Sequence, residues 1–334
     1  MNKKVILTGD RPTGKLHLGH LVGSLLNRVK LQDEYETYII VADLHTLTTK
    51  NKQEEIEALP ENIRSQVLDY LSTGLDPEKA TIYLQSKILA LYELNLIFSM
   101  LVTKERLERI PTLKDVMKDA HITNPSLGLL GYPVLQSADI LMVNANLVPV
   151  GKDQESHLEL TREIARRFNT SYENVFNEPE ALVGEVGSLP GIDGTGKMSK
   201  SAGNAIYLTD DAQTVTKKVM TMYTDPKRVH LTDPGTVEGN PVFVYHDIFN
   251  SDRSEVADLK DRYEKGTVGD VEVKQKLALV LNKYLDPIRE KRAKFEANPK
   301  IVEEILEAGN KKVNTIASEI VSKAKEAMKL NYFS

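Results

Sequence analysis

The chain opens with an unbroken apolar run, Val5-Ile6-Leu7, and then changes period: Leu18, Leu21, Val22, Leu25 and Val29 recur every three or four residues. The run suits a buried strand, and the wider spacing places five apolar side chains on one face of a helix. The alternation continues. Tyr38-Ile-Ile-Val-Ala-Asp43 reads as a second strand, a long helical pattern passes through Ile63, Val67 and Leu71, and Thr81-Ile-Tyr-Leu-Gln85 reads as a third strand. Helical patterns follow around Leu91 to Leu101 and Leu135 to Val143, and Leu147-Val-Pro-Val150 reads as a strand feeding a helix that ends near Asn169. This order predicts an α/β fold with a parallel sheet covered on both faces. Ligands of such sheets sit beyond the carboxyl ends of the strands, where the stretches from Arg11 to His20 and from Gly151 to Gln154 fall.

A glycine-rich stretch from Gly184 to Gly203 interrupts the pattern. From Asp210, with Gln213 three residues on as a capping-box-like start, the remainder reads as helices broken at Pro226, Pro234, Gly235, Gly266 and Pro287. The last helix, through Ile316, Ile320, Ala324 and Met328, is amphipathic and can pack back onto the first half. A length of 334 residues exceeds the size at which a single core stops growing, so two domains are expected. We divide the chain into an α/β domain over 1–185, a loop linker over 186–207 and a helical domain over 208–334.

Composition narrows the function classes. With 41% hydrophobic and 27% charged residues the chain is an ordinary soluble protein. Zero cysteines exclude disulfides, thiolate zinc sites and a cysteine nucleophile, and fit a reducing cytoplasm. The opening apolar run is too short for a signal peptide and no later run could span a bilayer, so neither export nor a membrane is expected. A net charge of −5 argues against a generic nucleic-acid coat and leaves room for a specific RNA partner, with no DNA partner expected.

Two stretches carry the candidate chemistry. In Arg11-Pro-Thr-Gly-Lys-Leu-His-Leu-Gly-His20, Gly14 and Gly19 allow the backbone to approach a ligand at the positive end of the following helix, and His17 and His20 offer imidazole donors to phosphate oxygens. In Lys197-Met-Ser-Lys-Ser201, two lysines three residues apart lie in a loop that can close over the same phosphates, with Met198 as an apolar anchor. Both stretches satisfy the glycine and lysine spacing of a phosphate loop, yet Leu16 and Met198 stand where such a loop needs a magnesium-binding hydroxyl, so that alternative is set aside. Taken singly, a His-x-x-His at a helix start is more often a surface pair, and a lysine-rich loop is usually solvated charge.

Together the two stretches resemble the HIGH and KMSKS signatures of class I aminoacyl-tRNA synthetases, and the similarity runs over nearly the whole chain. It looks closest to the bacterial enzymes that charge tRNA with tryptophan, with further support from Tyr132-Pro-Val-Leu-Gln-Ser-Ala-Asp-Ile-Leu141, Val148-Pro-Val-Gly-Lys-Asp-Gln154 and Glu159-Leu-Thr-Arg162. The resemblance implies a Rossmann-like doubly wound sheet with a C-terminal all-helical, anticodon-binding domain, a homodimer, and a reaction in which ATP with magnesium activates L-tryptophan before transfer to tRNA(Trp). It implies that His17, His20, Lys197 and Lys200 stabilise the phosphates, with Lys114 contributed from across the pocket. Arg11, Pro12, Thr13, Gly19, Leu189, Met198, Ser199 and Ser201 would line ATP, and Gly151, Lys152 and Asp153 would hold the ribose.

For the amino acid, the resemblance points to Leu7, Gly9, His45, Gln136, Asp139 and Gln154. Asp139 lies among Leu135, Ala138, Ile140 and Leu141, so a buried carboxylate there needs a donor, which an indole N–H, a tyrosine hydroxyl or an internal partner could supply. Leu7 discriminates better. Tyrosine-activating relatives typically carry a tyrosine at that position to bond the substrate hydroxyl, and leucine cannot do so. Gln136 replaces a family methionine, and Arg11 stands where many members have glutamine. Arg289, Lys291, Arg292 and Lys294 cluster on one segment and could meet phosphates, although a solvated helix face is the commoner explanation. The tyrosine enzyme and a non-catalytic relative that keeps the fold remain the alternatives.

Overall fold

Strands β1 (Val5–Asp10), β2 (Glu36–Val41), β3 (Ala80–Leu84), β4 (Leu147–Val150) and β5 (Glu180–Val183) form one parallel sheet in the order β3-β2-β1-β4-β5. The structure is a computed structural model that describes residues 3–119, 121–150, 155–183, 189–230 and 232–332. The chain builds outward from β1 to β3 on one side, then returns to place β4 and β5 on the other. That reversal opens a crevice at the carboxyl ends of β1 and β4.

The crossing helices are α1 (Leu26–Glu34), α2 (Leu59–Thr73), α3 (Leu89–Ser99), α4 (Pro111–Asp119), α5 (Leu127–Met142) and α6 (Glu155–Ser171). Beyond Asn204 come α7 (Ala212–Met220), α8 (Pro241–Phe249), α9 (Arg253–Glu264), α10 (Asp270–Glu296) and α11 (Ile301–Ala327). Side chains alternate across β2: Ile39 and Val41 enter a core shared with α2 and the later helices, while Tyr38 and Ile40 enter a second core beneath α3, α5 and α6. Helix α11 serves both. Val302, Ile305 and Leu306 join the first core, and Val313, Ala317, Ile320 and Ala324 join the second. It crosses the edge strand at Gly309, where a Cβ would sit 1.9 Å from the Ile82 carbonyl oxygen. The next residue, Asn310, accepts the free Leu84 N–H at 2.8 Å, so the exposed edge of β3 is closed by a side chain.

Several elements depart from the sequence pattern. The second strand ends at Val41, and Asp43 instead starts the short helix Asp43–Leu47, its carboxylate accepting the Ser86 N–H at 2.9 Å. The helix expected from Leu18 begins as a turn over Leu18–His20 and a π-helical turn over Leu21–Leu25 before α1. Asp211, not Asp210, caps α7 through the Thr214 N–H, because Asp210 is engaged by Lys218 at 2.6 Å and by the Tyr207 N–H. Pro287 lies inside α10 rather than ending it, as burial of Leu281 and Leu285 on the preceding turns holds the helix together across the missing donor.

Candidate active site

The crevice holds a cavity of about 480 Å³ whose lining includes Leu7, Gly9, Arg11, His45, Gln136 and Asp139. Leu7, 3% exposed, is its apolar wall on β1. Gly9 is required by the sheet itself, since a Cβ there would lie 2.0 Å from the Ile40 carbonyl oxygen. Asp139 on α5 is buried and already held by two protein donors: His45 Nε2 reaches Oδ2 at 2.9 Å, and Gln85 Nε2 reaches both oxygens at 2.8 and 3.0 Å. Burial pushes the Asp139 carboxyl up, while the His45 and Gln85 bonds pull it back. A carboxylate has about four acceptor sites, so these partners orient it without exhausting it. Tyr132, one helical turn before Gln136, places its Oη 3.1 Å from His157 Nε2, and Thr112 Oγ1 bonds the same nitrogen.

Of the first signature stretch Arg11 lines this cavity, while His17, His20 and, from the second, Lys200 do not; the two stretches are joined to each other through the backbone. Leu18 N–H donates to Ile206 O at 2.9 Å and Leu208 N–H to Leu16 O at 3.0 Å, which pairs His17 with Tyr207. Lys200 Nζ donates to Gly14 O at 2.9 Å and to Thr13 Oγ1 at 3.4 Å. Gly14 has φ +112°, a conformation that glycine alone adopts readily. Met198 is buried, and its Sδ accepts the Gly19 N–H at 3.4 Å, while its backbone N–H donates to Leu189 O. The His17 and His20 rings lie 3.8 Å apart. Burial, then mutual repulsion and the nearby Lys200 charge, lower His17 to about 3; burial, opposed by Asp10 and reinforced by Lys200, lowers His20 to about 4. Burial brings Lys200 down to about 8. At neutral pH two uncharged imidazoles therefore lie within electrostatic reach of one ammonium.

Other expected positions fall elsewhere. Lys114 does not reach the main cavity: α4 turns Thr112 and Val116 towards it, and Lys114, some 200° round the helix from Thr112, lines a second cavity with Leu113 and Met117. Leu189 is buried in the core beside Met198 rather than in the cavity. Lys197 and Ser201 are exposed, with Ser201 Oγ 2.8 Å from Ser199 Oγ; Pro12 is buried next to Arg11, whose guanidinium donates to Thr49 Oγ1 at 2.6 Å. Gly151, Lys152, Asp153 and Gln154 lie outside the described residues. Nor do Arg289 and Arg292 project from a free helix face. Arg289 donates to the Asp210 carbonyl and Arg292 pairs with Asp69, while Lys291 and Lys294 are exposed.

Pattern reasoning missed a buried ion pair in the cavity floor. Arg28 bonds both Asp10 oxygens, Tyr70 Oη donates to Asp10 Oδ2 at 2.8 Å, and burial of Asp10 is outweighed by the Arg28 charge, which holds its carboxyl down at about 2. Asp10 ends β1 and Arg28 lies 18 residues on in α1, beyond a loop and a π-helical turn, a separation that announces no pairing in sequence.

A single parallel sheet, a cavity at its switch point and two facing cationic or imidazole loops define a nucleotide-using enzyme of the Rossmann-like type. The family described as tRNA synthetases class I (W and Y) matches residues 2–286, and the chain belongs to it. It is an aminoacyl-tRNA synthetase. The chain is 56% identical to the tryptophan–tRNA ligase of Borreliella burgdorferi over 99% of its own length and 95% of the relative's, and 53% identical to that of Treponema pallidum over 98% and 97%. Its structure is similar to that of the tryptophanyl-tRNA synthetase from Campylobacter jejuni complexed with ADP and tryptophan, at a TM-score of 0.87 and 35% identity, covering 97% of this chain and 99% of that one.

Proposed function

We propose that the chain is a tryptophan–tRNA ligase, forming tryptophanyl-adenylate from L-tryptophan and ATP and passing the acyl group to the 3′ end of tRNA(Trp). The observation that carries this reading is the seating of Lys200 on Gly14 and Thr13, its charge felt by His17 and His20, with Arg11 of the same stretch lining a cavity that holds the oriented Asp139 carboxylate. The relatives' shared substrate supports tryptophan, and so does Leu7, which cannot bond a tyrosine hydroxyl.

In this reading the indole lies against Leu7 with its N–H on Asp139, which His45 and Gln85 hold in place. The tryptophan carboxylate attacks the α-phosphorus in line, and the bond to the bridging oxygen breaks to release pyrophosphate. No protein nucleophile is needed. His17 and His20, uncharged at neutral pH, donate N–H bonds to phosphate oxygens, and Lys200 and Lys197 neutralise charge on the departing pyrophosphate. Thr13 and Gly14 are neutral partners for Lys200, and phosphate oxygens would hold its ammonium more strongly. Gly151, Lys152 and Asp153 would take the ribose. Magnesium would travel on the phosphates, since imidazoles and ammoniums suit phosphate oxygens better than a dication.

The helical region beyond residue 208 would read the anticodon, and a second copy of the chain would cover the exposed apolar row Leu89, Tyr92 and Leu96 on α3 with Met100 just past its end. Action in the cytoplasm belongs to the same reading; among the described residues no helix is long and apolar enough to cross a membrane. The test is ATP–pyrophosphate exchange with each of the twenty amino acids. Tryptophan should give the dominant signal. A larger tyrosine signal would transfer the assignment to the tyrosine enzyme, and no exchange with any amino acid would leave a non-catalytic relative.

A further inference from the structure

The catalytic half and the long α10 meet at one buried carboxylate. Asp69 on α2 has no exposed surface. Its Oδ2 accepts the backbone N–H of Leu16, the residue immediately before His17, at 3.2 Å. Its Oδ1 pairs with Arg292, 223 residues away on α10. The same guanidinium donates to Ser65 O at 3.1 Å, to Ser65 Oγ at 3.3 Å and to Glu296 Oε1 at 2.8 Å, so each of its three nitrogens is engaged. Burial pushes the Asp69 carboxyl up to about 6 against the opposing pull of Arg292 and the Leu16 N–H.

A buried ion pair is poor insurance for stability, because apolar residues of equal volume usually do as well. What an apolar contact could not do is grip a backbone N–H. Leu16 is followed by His17 and Leu18, and both Leu16 and Leu18 pair with residues 206–208, so the carboxylate grips the segment that ties the His17 turn to the chain just beyond the second stretch.

We propose that Asp69 and Arg292 are positioning residues for the triphosphate site: Arg292 holds the carboxylate, the carboxylate holds Leu16, and Leu16 sets the His17–His20 turn. A displacement of α10 is thereby felt at the nucleotide. This inference rests on the assignment of that turn to ATP.

The experiment is steady-state pyrophosphate exchange on the full-length chain, varying ATP and tryptophan separately. Arg292→Ala should raise KM for ATP about tenfold, in the range usual for coupled sites, and leave KM for tryptophan within about twofold. Arg292→Lys, which keeps the charge, should recover part of that loss. Asp69→Asn, which retains an acceptor for Leu16, should fall between wild type and Arg292→Ala, and the double variant should be no worse than Arg292→Ala alone. A lowered thermal midpoint with unchanged KM for ATP, or equal losses for both substrates, overturns the coupling. If Arg292→Ala does not fold, Arg292→Lys and Asp69→Asn decide by the same measurements. A wild-type chain without tryptophan-dependent exchange would overturn the ligase assignment and this inference with it, whereas an active wild type with indifferent variants overturns the coupling alone.

Discussion

Replacing Asp139 with asparagine isolates the amino-acid end of the cavity. The native carboxylate accepts three bonds, one from His45 at 2.9 Å and two from Gln85 at 2.8 and 3.0 Å. Asparagine offers one oxygen and one NH2. With its oxygen at the Oδ2 position it keeps His45 and the shorter Gln85 bond, and its NH2 then stands where the indole N–H needs an acceptor. A charge-assisted bond contributes about 1.5–3 kcal/mol, so kcat/KM for tryptophan should fall roughly 10- to 100-fold. In the proposed reading ATP lies away from this carboxylate, so its KM should stay within about twofold. Folding should survive, because the substitution also removes a charge that burial disfavours, as the raised Asp139 pKa attests. The assay is pyrophosphate exchange with each substrate varied in turn, alongside thermal denaturation. Equal losses for ATP and tryptophan, at an unchanged midpoint, would remove Asp139 from substrate recognition.

Four further outcomes follow from the same geometry. Lys200→Met should cut the exchange rate by about 100-fold, the scale of losing one electrostatic stabiliser, while KM for tryptophan changes little; parallel collapse of both would contradict it. His17 and His20 bind protons when folded only below about 3 and about 4, against 6.5 in the unfolded chain, so stability is intact above pH 6.5 and declines as pH falls towards 4. The double variant His17→Asn, His20→Asn should accordingly lose less of its thermal midpoint between pH 7.5 and 5 than wild type, and an equal loss would refute the burial argument. Gly309→Ala must push α11 off the Ile82 carbonyl and should cost about 1–3 kcal/mol by denaturant unfolding; a neutral effect would mean that the helix slides freely. If a second copy covers the exposed row of α3 as proposed, Leu96→Glu should shift the mass from dimer to monomer in light scattering, and an unaltered mass would exclude that face from the interface.

Much of the sheet could be read from period alone, because the apolar runs of β1, β2 and β3 are long enough to separate from helical spacing. Strand β5 could not. Its four residues, Glu180–Val183, carry no alternation, and they are a strand only because β4 offers a free edge. Pro287 misled for a related reason: local chemistry predicts a break, and packing on both sides overrides it. In the site, Asp139 stood out as a carboxylate in an apolar neighbourhood, but its partners lie 54 and 94 residues away and only the fold joins them. Lys114 shows the converse limit. Matching a motif places a residue on an element, and the helical turn then decides which cavity it faces. Arg292 looked like surface charge because nothing in its own segment reveals Asp69.

The backbone ladder between residues 16–18 and 206–208 divides the second signature stretch into a fixed base and a free tip. Its hydrogen bonds tie the base to the His17 turn, and Met198 is buried against Gly19, so neither can move without breaking the pairing. Lys197 and Ser201 are exposed, and Lys200 is retained by a carbonyl and a hydroxyl. Closure over a triphosphate then needs no hinge in the base. In the proposed reading the ammonium of Lys200 would exchange neutral partners for anionic ones while Lys197 swings in from solvent, and the interactions gained would strengthen as charge builds on the departing pyrophosphate. An arrangement that binds the leaving group better as it leaves favours the transition state over the bound substrates.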